Sequence, residues 1–183
     1  MEEIKEKLKR IIIEKGIFFK EVILSSGKKS DFYIDCRIIT LSGEGLYLVS
    51  KIIFEMIKDE NVDAIGGLTL GADPIVSGVS LISYLEGKPI YGFIVRSQTK
   101  EHGMGKLIEG NIREGWKVAI VDDVATTGSS LIKAIEAVEK YRCIVKKVIC
   151  IVDREEGAKE ALEKKGYKLE SIFTKSILLD FLK

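Results

Sequence analysis

The chain predicts an α/β fold: a central parallel β-sheet flanked by helices on both faces. Three observations lead there. Short runs such as VDAIGG, KPIYGFIV and KKVICIVD are apolar without alternation, as strands covered on both faces require. These runs alternate with segments whose apolar residues recur at helical spacing, the pattern of βαβ units. The length, 183 residues, is about that of one domain with a full core. No linker, repeat or low-complexity segment divides it, so residues 1–183 read as a single domain.

The elements follow in order. Residues 2–15 place Ile4, Leu8, Ile11 and Ile12 on one helical face, with Gly16 as the expected C-cap. FFKEVIL and DFYIDCRII read as short strands around the turn SSGKKS. Leu46 to Ile57 is helical, VDAIGG a buried strand and GLTLGADP a loop, and Pro74 suits the first turn of a helix through Ile75 to Leu85. KPIYGFIV is a strand. The polar, glycine-dotted stretch after it is too long for a routine connection and is expected to be functional. WKVAIVDD, KKVICIVD and YKLESIF are the remaining strands. SSLIKAIEAVEKY and EGAKEALEKKG lie between them as helices, and a short helix ends the chain.

Composition narrows the functional classes. Lys plus Arg (29) nearly balances Asp plus Glu (28), which gives no general argument for nucleic acid or an anionic membrane as partner. No apolar run approaches the ~18 residues a membrane helix needs. MEEIKEKLKR reads as a charged amphipathic helix start, not a secretory leader. Cys36, Cys143 and Cys150 are odd in number and lack metal-ligand spacing. These features together predict a cytoplasmic protein.

Parallel sheets bind ligands at the carboxyl ends of their strands. The loops expected there are Gly67 to Asp73, Arg96 to Gly110, Asp122 to Ser129 and Asp153 to Gly157. VAIVDDVATTGSS (118–130) is the most informative stretch. Small residues between a strand and a helix let backbone N–H groups converge on an anion, and the helix dipole favours its charge. Ala125, Thr126, Thr127, Gly128 and Ser129 fit such a phosphate cradle. The stretch contains neither GK[ST] nor GxGxxG, so it is not a nucleotide-binding loop of either common kind. Asp122 and Asp123 would repel a phosphate and need another partner, a vicinal diol or a hydrated Mg²⁺. The plain alternative is an aspartate capping the next helix.

VAIVDDVATTGSS resembles the PRPP-binding signature of the type I phosphoribosyltransferases. Three further stretches resemble the orotate phosphoribosyltransferases within that group: RSQTKEHGMGKLIEG their catalytic loop, SSGKKSDFYID their N-terminal substrate hood, and VDREEG their D-R-x-E-G segment. The resemblance implies the type I phosphoribosyltransferase fold, with a small hood contributed mainly by residues 1–40. It also implies a pentosyl-transferring glycosyltransferase that moves ribose 5-phosphate from PRPP to N1 of orotate in pyrimidine biosynthesis. By the same resemblance Arg96, Lys100 and His102 contact pyrophosphate, 122–130 binds PRPP, and Thr126 and Arg154 hold orotate. Lys100, Asp122 and Asp123 are the expected catalytic residues. Mg²⁺ is the expected cofactor, held through PRPP and water, and a homodimer with shared active sites is the expected assembly.

Arg154 has its own chemical reason, since a guanidinium fork binds a carboxylate bidentately. Its alternative is a pairing with Asp153 or Glu156. Phe32 and Tyr33 are candidates to cover the pyrimidine, or else core residues of a strand. The chain departs from the family pattern at Ser97 and Ser25, where lysines are usual, and in GLTLGAD, which lacks a Tyr-Lys pair. A purine phosphoribosyltransferase and a PRPP-sensing regulator remain alternative readings. Against the first stands Arg154. Against the second stand the near-neutral charge and the shortness of residues 1–16 for a DNA-binding segment.

Overall fold

The computed structural model describes residues 1–19, 22–23, 29–30, 32–97 and 106–181. The chain opens with α1 (Glu2–Ile11), which runs into a π-helical turn, Ile12–Gly16. Gly16 is therefore the last helical residue and not the expected cap beyond it. The hood consists of two antiparallel ribbons. One pairs β1 (Ile17–Phe18) with β4 (Tyr33–Ile34), and the other pairs β2 (Val22–Ile23) with β3 (Lys29–Ser30). Residues 31–39 are not one strand as expected. The chain turns at Asp35, whose carboxylate accepts the Arg37 N–H at 3.0 Å, and α2 (Arg37–Thr40) begins there.

The body follows with α3 (Gly43–Ile57), whose N-cap Ser42 accepts the Gly45 N–H at 3.2 Å. Then come β5 (Ala64–Leu68), α4 (Ala72–Leu85), with Pro74 in its first turn, and β6 (Tyr91–Val95). β7 (Ile108–Gly110), β8 (Lys117–Ala125), α5 (Ser129–Lys140) and β9 (Ile144–Asp153) come next. The last elements are α6 (Ala158–Glu163), β10 (Leu169–Thr174) and α7 (Lys175–Asp180).

The main sheet has the order β10-β9-β8-β5-β6-β7. Neighbours are parallel except β7, which runs antiparallel along the β6 edge. The predicted parallel core is thus present, and an antiparallel edge strand makes the whole sheet mixed. That strand occupies the end of the segment 96–110 expected as loop. The Arg96 N–H donates to the Leu107 carbonyl at 2.9 Å, so the returning chain zips back onto β6.

Unalternating strands become intelligible once both faces are covered. Along β8, Ala119 and Val121 pack into the core beneath α1, α3 and α4, whereas Val118 and Ile120 pack beneath α5 and α6. All four are fully buried. Each buried valine or isoleucine side chain contributes about 1.5–3 kcal/mol of transfer free energy, so a polar residue at any of these positions would be costly.

The pairing register also opens the crevice. β5 and β8 pair only over Ala64–Gly66 against Val118–Ile120. Beyond that point β5 follows β6 as far as Leu68, while β8 follows β9 as far as Ala125. The sheet is wound in opposite directions from these two strands, so their carboxyl ends part at its switch point.

Candidate active site

A cavity of about 480 Å³ fills that parting. The end of β5 and the loop after it supply Leu68, Thr69, Leu70 and Gly71. β8 supplies Asp122, Asp123 and Val124, with Thr126 and Ser130 following. Tyr33, Ile34, Asp35 and Arg37 come from the hood side, and Arg154 from the end of β9. A smaller cleft adjoins it, lined by Asp122, Val124, Ala125, Thr126, Thr127, Gly128, Ser129 and Ser130. The 122–130 segment therefore lies along two connected spaces.

The acid pair sits inside β8, not past its end, because β9 continues to pair with it through Asp122↔Cys150 and Ala125↔Asp153. Asp122 is buried and Asp123 half-buried. Each carboxylate accepts the next backbone N–H, Asp122 Oδ1 from Asp123 at 2.9 Å and Asp123 Oδ1 from Val124 at 2.8 Å. The helix-cap alternative therefore does not hold: the N-cap of α5 is Gly128, in the left-handed region at φ 78°. Burial pushes the Asp122 carboxyl well above the usual range, and the neighbouring Asp123 charge adds to the rise. Burial also raises Asp123, against the Val124 N–H and the Arg37 guanidinium, which favour its charged form. Such a pair is poised for hydroxyl donors or a cation.

The cradle is built from small residues because α5 starts there. No side chain caps the first turn of α5, so its N–H groups point at whatever lies in the cleft. Gly71 brings the N-terminus of α4 against the acid pair. A Cβ at Gly71 would meet Asp123 Oδ1, and would lie 2.8 Å from Asp122 Oδ1. Thr69 Oγ1 donates to Asp73 Oδ2 at 2.7 Å and ties this loop across its base.

Arg154 is 2% exposed. Its backbone N–H donates to the Ala125 carbonyl at 2.9 Å, and its Nε donates to Glu156 Oε1 at 3.0 Å. Its Cζ lies 4.9 Å from the Phe32 ring centroid. Of the two aromatic candidates, Tyr33 lines the cavity, while Phe32 lies against the Arg154 guanidinium.

Arg96 does not line the cavity; its Nη1 reaches Glu109 Oε1 at 3.3 Å across the β6–β7 pair. Lys100, His102 and Ser25 lie outside the described residues. Sequence reasoning passed over Arg37. Its Nε and Nη2 each lie 2.9 Å from the Asp35 carboxylate, and Nη2 donates to Tyr33 Oη at 3.1 Å. The Arg37 hydrogen bond holds the Asp35 carboxyl below its usual range despite partial burial. One signal was legible, an arginine two residues after an aspartate where the hood meets the body. Taking 31–39 as a single strand concealed it.

Known proteins resemble this chain over nearly its whole length. The sequence model of a family described as "Phosphoribosyl transferase domain" matches residues 42–178. The chain is 45% identical over 181 residues to the orotate phosphoribosyltransferase of Aquifex aeolicus (strain VF5), covering 96% of this chain and 97% of that protein. Against the orotate phosphoribosyltransferase of Methanocaldococcus jannaschii the identity is 46% over 171 residues, with coverage of 93% and 94%. Among solved structures, Mycobacterium tuberculosis H37Rv orotate phosphoribosyltransferase in complex with PRPP superposes with a TM-score of 0.79 at 34% identity, over 96% of this chain and 98% of that one.

Proposed function

We infer how this cavity works from one premise: the chain belongs to the phosphoribosyl transferase family, and within it to the orotate phosphoribosyltransferases. It transfers the 5-phosphoribosyl group of PRPP to orotate, giving orotidine 5'-phosphate and pyrophosphate in pyrimidine biosynthesis. One observation carries the assignment of roles. An acid pair with Asp122 buried, an uncapped helix start and a buried arginine converge on two connected spaces.

In this reading the cleft at 125–130 holds the 5'-phosphate on the first-turn N–H groups of α5, with Thr126, Thr127, Ser129 and Ser130 adding hydroxyl donors. Asp122 and Asp123 accept from the ribose diol, which stabilises carboxylates that burial and repulsion disfavour. Arg154 takes the carboxylate of orotate through its guanidinium. With the sugar held at both ends and the base clamped, C1' lies in line between pyrophosphate and N1. Positioning of this kind supplies up to about 7–11 kcal/mol of barrier lowering in favourable cases. The backbone of 69–71 faces the leaving-group side, where Arg96, Lys100 and His102 are the expected cationic partners.

Mg²⁺ carried by PRPP would neutralise charge on the departing pyrophosphate. The donor set fits such an ion, because Asp122 and Asp123 present hard carboxylate oxygens on the same cavity as the 69–71 backbone. They would hold it through its waters.

The assay is loss of orotate absorbance with PRPP and Mg²⁺, with adenine, guanine, hypoxanthine and uracil offered as competing acceptors. Turnover restricted to orotate supports the reading, and equal use of uracil would sink the role given to Arg154.

A two-fold homodimer with shared sites belongs to the same proposal, Lys100 acting in the neighbour's site. Exposed Leu41 and Leu70 beside the cavity rim support it, at 77% and 69% exposure. Lys100→Ala and Arg154→Ala homodimers would then be nearly inactive. Random exchange between them would restore roughly a quarter of normal activity, since half the dimers are mixed and each has one intact site. No recovery after exchange is verified by mass spectrometry would place the loop in its own subunit. A cytoplasmic location is proposed as well, which three buried free thiols suit.

A further inference from the structure

The segment after β9 is shaped around Arg154 more tightly than a surface loop needs. Glu156 Oε1 accepts from Arg154 Nε at 3.0 Å, with the two side chains 2% and 18% exposed. Phe32 packs against the same guanidinium at 4.9 Å. An edge contact and a face contact together define the direction and the tilt of a planar group. The backbone between the partners is unusual too. Glu155 is in the left-handed region at φ 57°, which residues other than glycine rarely adopt. Its carboxylate accepts from Ser176 N–H at 2.9 Å and Ser176 Oγ at 2.5 Å, at the start of α7. Its own N–H donates to Asp153 Oδ1 at 2.8 Å. Held from both sides, the left-handed residue lets side chains two positions apart meet as an ion pair.

We propose that Glu156 is a positioning residue for the acceptor base, fixing the Arg154 fork towards the cavity and thereby setting the preference for a carboxylate-bearing pyrimidine over a neutral one. The proposal rests on Arg154 being the orotate clamp. A planar fork gains its advantage over a lysine only when its orientation is set before the ligand arrives, since two parallel hydrogen bonds tolerate little rotation. Glu156 supplies that orientation through Nε, the nitrogen nearest the side-chain stem. It also balances the guanidinium charge while no base is bound.

The test is steady-state kinetics of Glu156→Ala, Glu156→Asp and Glu156→Gln against orotate, uracil and PRPP. Alanine removes the acceptor, aspartate keeps the charge but is one methylene too short, and glutamine keeps an oxygen that accepts from Nε. Glu156→Ala and Glu156→Asp should each raise the orotate KM by about tenfold or more, with kcat within about threefold and the PRPP KM within about twofold. The orotate-to-uracil ratio of kcat/KM should narrow by a similar factor. Glu156→Gln should restore the orotate KM to within about threefold of the unaltered protein. An unchanged orotate KM in both shortened variants overturns the proposal. So does glutamine as damaging as alanine, or orotate and PRPP KM rising together, which is the signature of general structural damage. Equal use of uracil and orotate by the unaltered protein would instead overturn the clamp beneath it.

Discussion

Asp122→Asn should make the ligand-free protein more stable at neutral pH while nearly abolishing turnover. Asp122 is 8% exposed, and burial together with the adjacent Asp123 raises its pKa above the value it has in the unfolded chain. The folded protein therefore binds more protons than the unfolded one between those two pKa values. Stability must fall as pH rises through that window. Asparagine has the same shape and keeps an oxygen to accept the Asp123 N–H, the bond that measures 2.9 Å here, but it carries no charge. In acid, where the aspartate is protonated, the variant and the unaltered protein should melt together. Across the window the gap opens by at most about 1.4 kcal/mol per pH unit for one proton. For a chain of this size that corresponds to about 3–6 °C in Tm per pH unit. Thermal melts from pH 4 to 8 read the gap, and calorimetry with PRPP reads the lost affinity. A variant no more stable at pH 8, or a gap that does not close in acid, would refute the reasoning. In the first case the pair would be stabilised in its charged form by the protein itself, with no need of a ligand; in the second the gain would not come from charge.

Arg154→Ala should raise the orotate KM sharply and spare PRPP affinity, measured by kinetics and calorimetry. Because it breaks an ion pair whose arginine is buried, it should also cost about 3 kcal/mol in urea unfolding. Gly71→Ala should leave the fold intact, since Gly71 has φ −57°, yet its methyl would press on both aspartates. PRPP affinity should drop by about tenfold or more, about 1.4 kcal/mol, by calorimetry. Ile120→Ala, in the core beneath α5, should cost about 2–5 kcal/mol in urea unfolding.

The chain's own spacing determined the body of the fold and the chemistry of its centre. Val118 to Val121 is apolar at every position, which only a strand covered on both faces tolerates, so the pattern by itself implies the covering helices. Asp122 and Asp123 followed by small hydroxyl residues announced a ligand with a diol or cation beside a phosphate, because local chemistry suffices for that inference. What tertiary structure decided were features whose energy comes from a neighbour distant in sequence. Ile108–Gly110 has no strand pattern of its own and pairs because β6 offers an edge. β8 extends through the aspartates because β9 keeps pairing with it. Residues 31–39 break at Asp35 because its carboxylate takes the Arg37 N–H and guanidinium in place of a strand partner. Arg154 was legible as a charge suited to a carboxylate, but its burial against Phe32 was not. Those two residues lie far apart along the chain, and only the folded sheet and hood bring guanidinium and ring to 4.9 Å.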